Sequence, residues 1–136
     1  MQASEALRRF QDSAKVAFLA TVEGDQPRVR PVSPVAVEGN TIWVAAFRSS
    51  PKMKQLAANP NVEVCYMDAE HRHLRARGTT RVCADAAVKT RLWNAYPLMK
   101  GYFATADDPE YALIEITVRQ GDVMESMDLA YQHLQV

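Results

Sequence analysis

Two short turns constrain this chain more than anything else in it. Glu23-Gly24-Asp25 and Glu38-Gly39-Asn40 separate strand-like runs: "KVAFLATVEGDQP", then "RVRPVSPVAV", then "TIWVAAF". Turns that tight join antiparallel neighbours, because parallel strands need a crossover of roughly a dozen residues or more. Two more runs, "NVEVCYMD" and "HLRARGTTRVCAD", flank the polar turn Ala69-Glu70-His71, and "YALIEITVRQGDVMESM" reads as a long final strand or hairpin. Helical patterning is expected over residues 3–14, with Ser4 as cap and Leu7 and Phe10 facing inward, over 48–60, and over 86–99, ended by Pro97. About six strands at short spacing with about three helices give a mainly β, α+β protein, a barrel or sandwich and not a doubly wound sheet. The expected form is a small antiparallel barrel with peripheral helices plugging its ends or gaps. Pro31 and Pro34 confine their run to a sheet edge or a bulge. A second subunit is one way to cover that edge.

The chain has 136 residues, one domain spanning 1–136 and long enough to bury a core without disulfides. Its 16 basic and 16 acidic residues cancel, which argues against a general nucleic-acid binder. His73, Arg75 and Arg77 share one strand face but lack the interleaved aromatics of a base-stacking platform, so a solvated face is expected. No apolar run could span a bilayer and no signal peptide opens the chain. Cys65 and Cys83 lie in strand-like runs and read as buried, reduced thiols of a cytoplasmic protein. His71 and His73 have no third ligand at a metal-binding spacing, so no metal is expected. There is no Gly-x-Ser-x-Gly elbow and no base beside either cysteine, so no catalytic side chain stands out.

The stretch "RSSPKMKQLAANP" carries an anomaly. Ser50 suits the N-cap, Pro51 the first helical position, and Asn59-Pro60 the end. Met53, Leu56 and Ala57 supply an apolar face. Yet Arg48, Lys52 and Lys54 crowd the N-terminal end, where aligned peptide dipoles already place about half a positive charge. Either these are solvated surface cations, or they converge with the Ser49 and Ser50 hydroxyls on an anion, as helix N-termini do with phosphate. Arg28 and Arg30, two apart on an extended segment, point to one face about 7 Å apart, with Val29 directed into the core. The planar fork of arginine suits phosphate. Two clusters in consecutive elements favour a shared phosphate over an arginine-guarded edge. Trp93, Tyr96, Tyr102 and Phe103 gather around the third helix as core, as a subunit contact, or beside a flat cofactor.

"FLATVEGDQPRVRPV" followed by "IWVAAFRSSPKMKQLAANPNVEVCY" resembles the pyridoxamine 5'-phosphate oxidase-like family of flavin-binding split β-barrels. The likeness rests most on the Ser-x-Lys helix start running into "QLAANPNVEVCY", and its element order extends over residues 5 to 118. The resemblance implies a homodimer of six-stranded antiparallel split barrels with Greek-key topology, with FMN in the cleft between subunits. By position, Arg28 or Arg30 and Lys52 would hold the phosphate, Ser50 would donate a hydrogen bond, and Lys54 would be a secondary contact. The backbone through Val29, Pro31 and Val32 would run beside the isoalloxazine ring. Ala46 stands where members often have Thr, and Pro51 where the true oxidase has Arg. "MDLAYQHLQV" offers no substitute for the oxidase's Arg-x-His substrate grip. These departures point to a short member near the general-stress branch and away from vitamin oxidase activity. The implied function is FMN-dependent oxidoreduction between a small-molecule electron donor and acceptor. The alternative is a non-enzymatic module that binds or senses flavin, deazaflavin or haem.

Overall fold

Both expected turns form two-residue hairpin loops. Glu23 pairs with Gln26 around Gly24-Asp25, and Glu38 pairs with Thr41 around Gly39-Asn40. Gly24 and Gly39 have φ of 64° and 58°, while neither following residue has positive φ. A positive φ at the first loop position alone is the pattern of a type II′ turn, which asks for glycine there. The computed structural model describes residues 1–14, 16–126 and 130–136. In chain order the elements are helix α1 (Ala3–Ser13), strands β1 (Ala17–Glu23), β2 (Gln26–Val32), β3 (Ala36–Glu38) and β4 (Thr41–Phe47), helix α2 (Pro51–Ala58), strands β5 (Asn61–Met67) and β6 (His73–Val82), helix α3 (Ala86–Ala95), a 3₁₀ turn (Pro97–Gly101), and strands β7 (Tyr111–Met124) and β8 (Gln132–His133).

All eight strands join one antiparallel sheet in the order β2-β1-β5-β6-β7-β4-β3, with β8 added on β7. The expected count of six rises to eight because the run "RVRPVSPVAV" divides at Ser33-Pro34-Val35 into β2 and β3, and the two-residue β8 adds to β7. β5, β6 and β7 run as a meander and β4 lies beside β7, a Greek-key arrangement. The edge strands β2 and β3 are joined by only Ser33, Pro34 and Val35, so the two edges lie near one another without pairing. The barrel is therefore split, and β2 is the proline-bearing edge that the sequence predicts.

The interior holds Leu19, Val44, Val64, Leu74 and Ile114, capped by Leu7 and Phe10 of α1. A second cluster, with Trp43, Leu92, Met99, Phe103 and Tyr111, lies outside the barrel wall. β4 and β7 are thus packed on both faces. Helix α1 begins at Ala3 with Gln2 as its N-cap, two residues ahead of the expected Ser4 cap, and the Ala3 N–H finds the Gln135 carbonyl at 2.7 Å. In α3, Asp85 accepts from the Ala87 and Val88 amides as N-cap. Pro97 opens the 3₁₀ turn, splitting the expected helix over 86–99.

Three further expectations change. Cys65 lies in β5 but is only half-buried, and Cys83 is buried one residue beyond β6. The His73–Arg77 face is partly covered by the C-terminal segment. Arg75 pairs with Asp122 at 3.3 Å and lies over the Tyr131 ring, Tyr131 bonds His73, and His133 bonds Asp122. On α2 the buried residues are Gln55 and Leu56, while Ala57 is exposed. Among the described residues no helix is long and apolar enough to cross a membrane.

Candidate functional site

The cations at the start of α2 separate in the fold. Arg48 donates to the Pro109 and Tyr111 carbonyls, at 3.0 and 3.3 Å, and Ser49 Oγ donates to Glu110 at 2.8 Å. Both therefore tie the helix start to the loop before β7 and do not join an anion site. Lys54 is exposed. Lys52 alone turns to the barrel, half-buried and with no acid or acceptor beside it among the described residues. Burial, and then the charge of Arg30, hold its ammonium below the ordinary lysine range.

Ser50 occupies the N-cap with extended backbone, as the sequence predicts, but its side chain makes no capping bond. Its Oγ is buried and without any hydrogen-bond partner. A buried hydroxyl left unpaired costs on the order of 1–3 kcal/mol. Two residues from a lysine that also lacks a partner, it fits a site that a ligand oxygen would complete.

On β2, Arg28, Arg30 and Val32 share the inward face, opposite Thr21, Leu19 and Ala17 of β1. The two arginines do lie on one side, as their spacing predicts, but Val29 is on the other, solvent side and is 68% exposed. The expectation that Val29 enters the core is thus corrected. Buried Val32 shares parity with the arginines and defines the inner face at this edge. Arg28 is exposed and lies 3.6 Å from Glu23. Arg30 is pinned by uncharged acceptors, the Leu19 carbonyl at 3.1 Å and Gln55 Oε1 at 2.6 Å. Burial, with Arg28 second, pushes the Arg30 pKa down. Lys52, Arg30 and Arg28 form a run of mutually repelling cations, two of them partly desolvated.

A cleft of about 360 Å³ opens where the barrel is split. One wall is edge strand β2 and its exit, with Pro31, Val32 and Ser33. The other is Ala45, Ala46 and Phe47 of β4 with Leu98, Met99, Tyr102 and Phe103 of the 3₁₀ region, and Lys52 also lines it. Phe47 meets Tyr102 edge-on and Phe103 at a tilt, with ring centroids 6.2 and 5.2 Å apart, giving an aromatic wall. Of the residues singled out from sequence, Pro31, Val32, Ala46, Lys52, Tyr102 and Phe103 come together in the cleft. Arg30 and Ser50 adjoin it through Lys52, one by electrostatics and the other by sequence. Arg28, Val29 and Lys54 do not line it. The sequence reading missed Gln55, which holds Arg30 from behind, Thr21, which bonds Gln55 in turn, and Phe47. The only available signal was that Lys52, Gln55 and Leu56 fall on one face of α2.

The match to the pyridoxamine 5'-phosphate oxidase family model spans residues 3–125. No curated protein matches the sequence. Among solved structures, a NimC/NimA family protein from Clostridium acetobutylicum is 26% identical with a TM-score of 0.86, covering 98% of this chain and 92% of that one. A heme binding protein from Mycobacterium smegmatis has 15% identity and a TM-score of 0.80, covering 99% and 58%. An FMN binding, pyridoxamine 5'-phosphate oxidase-related protein from Nostoc punctiforme has 18% identity and a TM-score of 0.73, covering 96% and 85%. With a family match over nearly its whole length and a split antiparallel barrel to go with it, this chain belongs to the pyridoxamine 5'-phosphate oxidase family.

Proposed function

We propose that this chain binds FMN and serves as an oxidoreductase passing electrons between small molecules. The observation that carries the reading is the pair Lys52 and Arg30, like charges set together in a partly desolvated place, with the unpartnered Ser50 hydroxyl two residues before Lys52 in the chain. Such an arrangement opposes folding unless an anion compensates it, and a phosphate supplies both charge and acceptor oxygens. Lys52, Arg30 and Ser50 would hold the phosphate. Pro31, Val32 and the aromatic wall would exclude water from a flat apolar ring. Bound flavin supplies the electron transfer, so the reading asks for no nucleophile or acid–base pair from the residues that line the cleft. Among the described residues the cleft lining has no His or Cys for a haem iron but does have Met99 and Tyr102, so the preference for flavin rests on the cations suited to a phosphate. The purified protein is expected to show a flavin spectrum and to bind FMN at least about tenfold more tightly than riboflavin, one factor of ten being about 1.4 kcal/mol. A protein that binds the two equally, or neither, overturns the reading.

The cleft is open on one side, and we propose that a second copy closes it in a homodimer. The outer face of β2, β1 and β5 carries exposed Val29, Phe18 and Met67, with Phe18 registered against Pro31 and Cys65. Phe18 is 45% exposed, and Val16 and Pro31 belong to both this face and the cleft rim. A contiguous apolar face of this kind suits an isologous two-fold contact that covers the β2 edge. It suits the cytoplasm too, where two free thiols stay reduced. Sedimentation should give a dimer at micromolar concentration, buried over more than roughly 2,000 Å² in total. Phe18→Glu should shift it toward monomer. A wild-type monomer that still binds FMN would remove the composite cleft.

A further inference from the structure

Resting on the phosphate reading above, we propose that Gln55 is a positioning residue: it holds Arg30 beside Lys52 at the edge of the cleft while leaving the arginine's charge uncompensated. Gln55 is a buried polar side chain, 6% exposed, on the inner face of α2. All three of its bonds are within the fold. Its Oε1 accepts from Thr21 Oγ1 at 2.6 Å and from Arg30 Nη2 at 2.6 Å. Its Nε2 donates to Glu23 Oε2 at 3.4 Å. The amide can adopt only this orientation, because turning it over would set its N–H₂ against the guanidinium donors and its oxygen against a carboxylate.

The order Glu23, Gln55, Arg30 matters. Glu23 is the acid of this neighbourhood, and it is engaged with Arg28 at 3.6 Å and with the amide nitrogen of Gln55. Gln55 stands between that acid and Arg30. A carboxylate at position 55 would bind Arg30 more strongly, since bonds to an ionised partner are about twice as strong as neutral ones. It would also neutralise the cation before any ligand arrived. With the Leu19 carbonyl as second acceptor, Arg30 is held at two points by uncharged oxygens. The Thr21 hydroxyl fixes the same Oε1 from the barrel side. The positive charge that Arg30 sets beside Lys52 is therefore left in place by an amide where an acid would be the easier partner.

The test compares FMN and riboflavin titrations into wild type, Gln55→Glu and Gln55→Met, with thermal melting of each protein as a folding control. Gln55→Glu should weaken FMN about tenfold or more and leave riboflavin unchanged. Its FMN binding should also depend less steeply on salt, because one cation is internally paired. Gln55→Met keeps the volume but removes the acceptor. It should weaken FMN several-fold, again without touching riboflavin. Parallel losses for both ligands would make Gln55 a packing residue only, and full FMN affinity in Gln55→Glu would overturn the proposal outright. A wild type that does not distinguish FMN from riboflavin defeats the phosphate reading, and this one with it. Failure seen only in the variants defeats this one alone.

Discussion

Gly78→Ala should lower the melting temperature by roughly 10 °C or more, a larger loss than any surface substitution in the sheet would cause. A Cβ at position 78 would sit 2.2 Å from the Thr117 carbonyl oxygen and 2.9 Å from its carbon. Both atoms are backbone in the neighbouring strand β7, so no rotamer change relieves the clash. The sheet itself must part there. Gly78 also lies at the register shift between Arg77 and Gly78, where β7 bulges against β6 and Arg119 is the extra residue. Bulges tighten the local twist and bring backbones close, and glycine marks such approaches. Overpacking usually costs about 1–3 kcal/mol, and a backbone obstacle puts this case at the top of that range or above. For a chain of this size, about 3 kcal/mol corresponds to some 10 °C. Thr80→Ala, two residues along the same strand, loses only a hydroxyl bond to the Pro60 carbonyl and should shift melting far less. Calorimetry giving equal melting for Gly78→Ala and wild type would mean that the β6–β7 register is not as described.

The need for glycine at position 78 was invisible in the sequence, and the reason is physical. "RARGTT" alternates well enough to read as one uninterrupted strand. The need for glycine comes from Thr117, about forty residues away and on another strand. Features fixed by local backbone chemistry were legible: the Gly24 and Gly39 turns, Pro31 at an edge, Ser50-Pro51 opening α2. Orientation at the edge was not. In "RVRPV" either parity can be defended, and choosing Val29 for the core overlooked that Val32 shares the face of Arg28 and Arg30. The same difficulty hid Gln55. An apolar-face reading of α2 selects Met53, Leu56 and Ala57, whereas the buried stripe runs through Gln55 and Leu56 with Lys52 at its rim. Polar residues on an inward face appear as noise in a hydrophobicity pattern until their partners, Thr21 and Arg30, are brought beside them by the β1–β2 hairpin. The cations at the helix start separate in the fold. Only one of the three, Lys52, proved to serve the cleft.

Lys52→Ala is expected to have the largest effect on ligand binding. A charge-assisted bond between an ammonium and a phosphate oxygen contributes about 1.5–3 kcal/mol, so its loss should weaken FMN by roughly 10- to 150-fold. Riboflavin, lacking the phosphate, should bind both proteins alike. The empty protein should respond in the opposite direction. Lys52 sits in the first turn of α2, where the helix dipole disfavours a cation, and Arg30 adds repulsion. Removing it should leave the ligand-free fold as stable as before or slightly more so. The sign can be checked with pH. Folding lowers the Lys52 pKa below its ordinary 10.5, so between the folded and unfolded values the unfolded chain holds more protons. Stability of the empty wild type should therefore rise with pH through that alkaline window relative to Lys52→Ala, because the penalty of the buried cation fades as it deprotonates. FMN affinity should fall through the same window, as the partner of the phosphate loses its charge. A lysine lying merely at the surface predicts neither the affinity loss nor the opposed pH trends. Equal FMN affinity in wild type and Lys52→Ala, measured at neutral pH and low salt, would leave the phosphate without its principal cation and end the case for a flavin mononucleotide in this cleft.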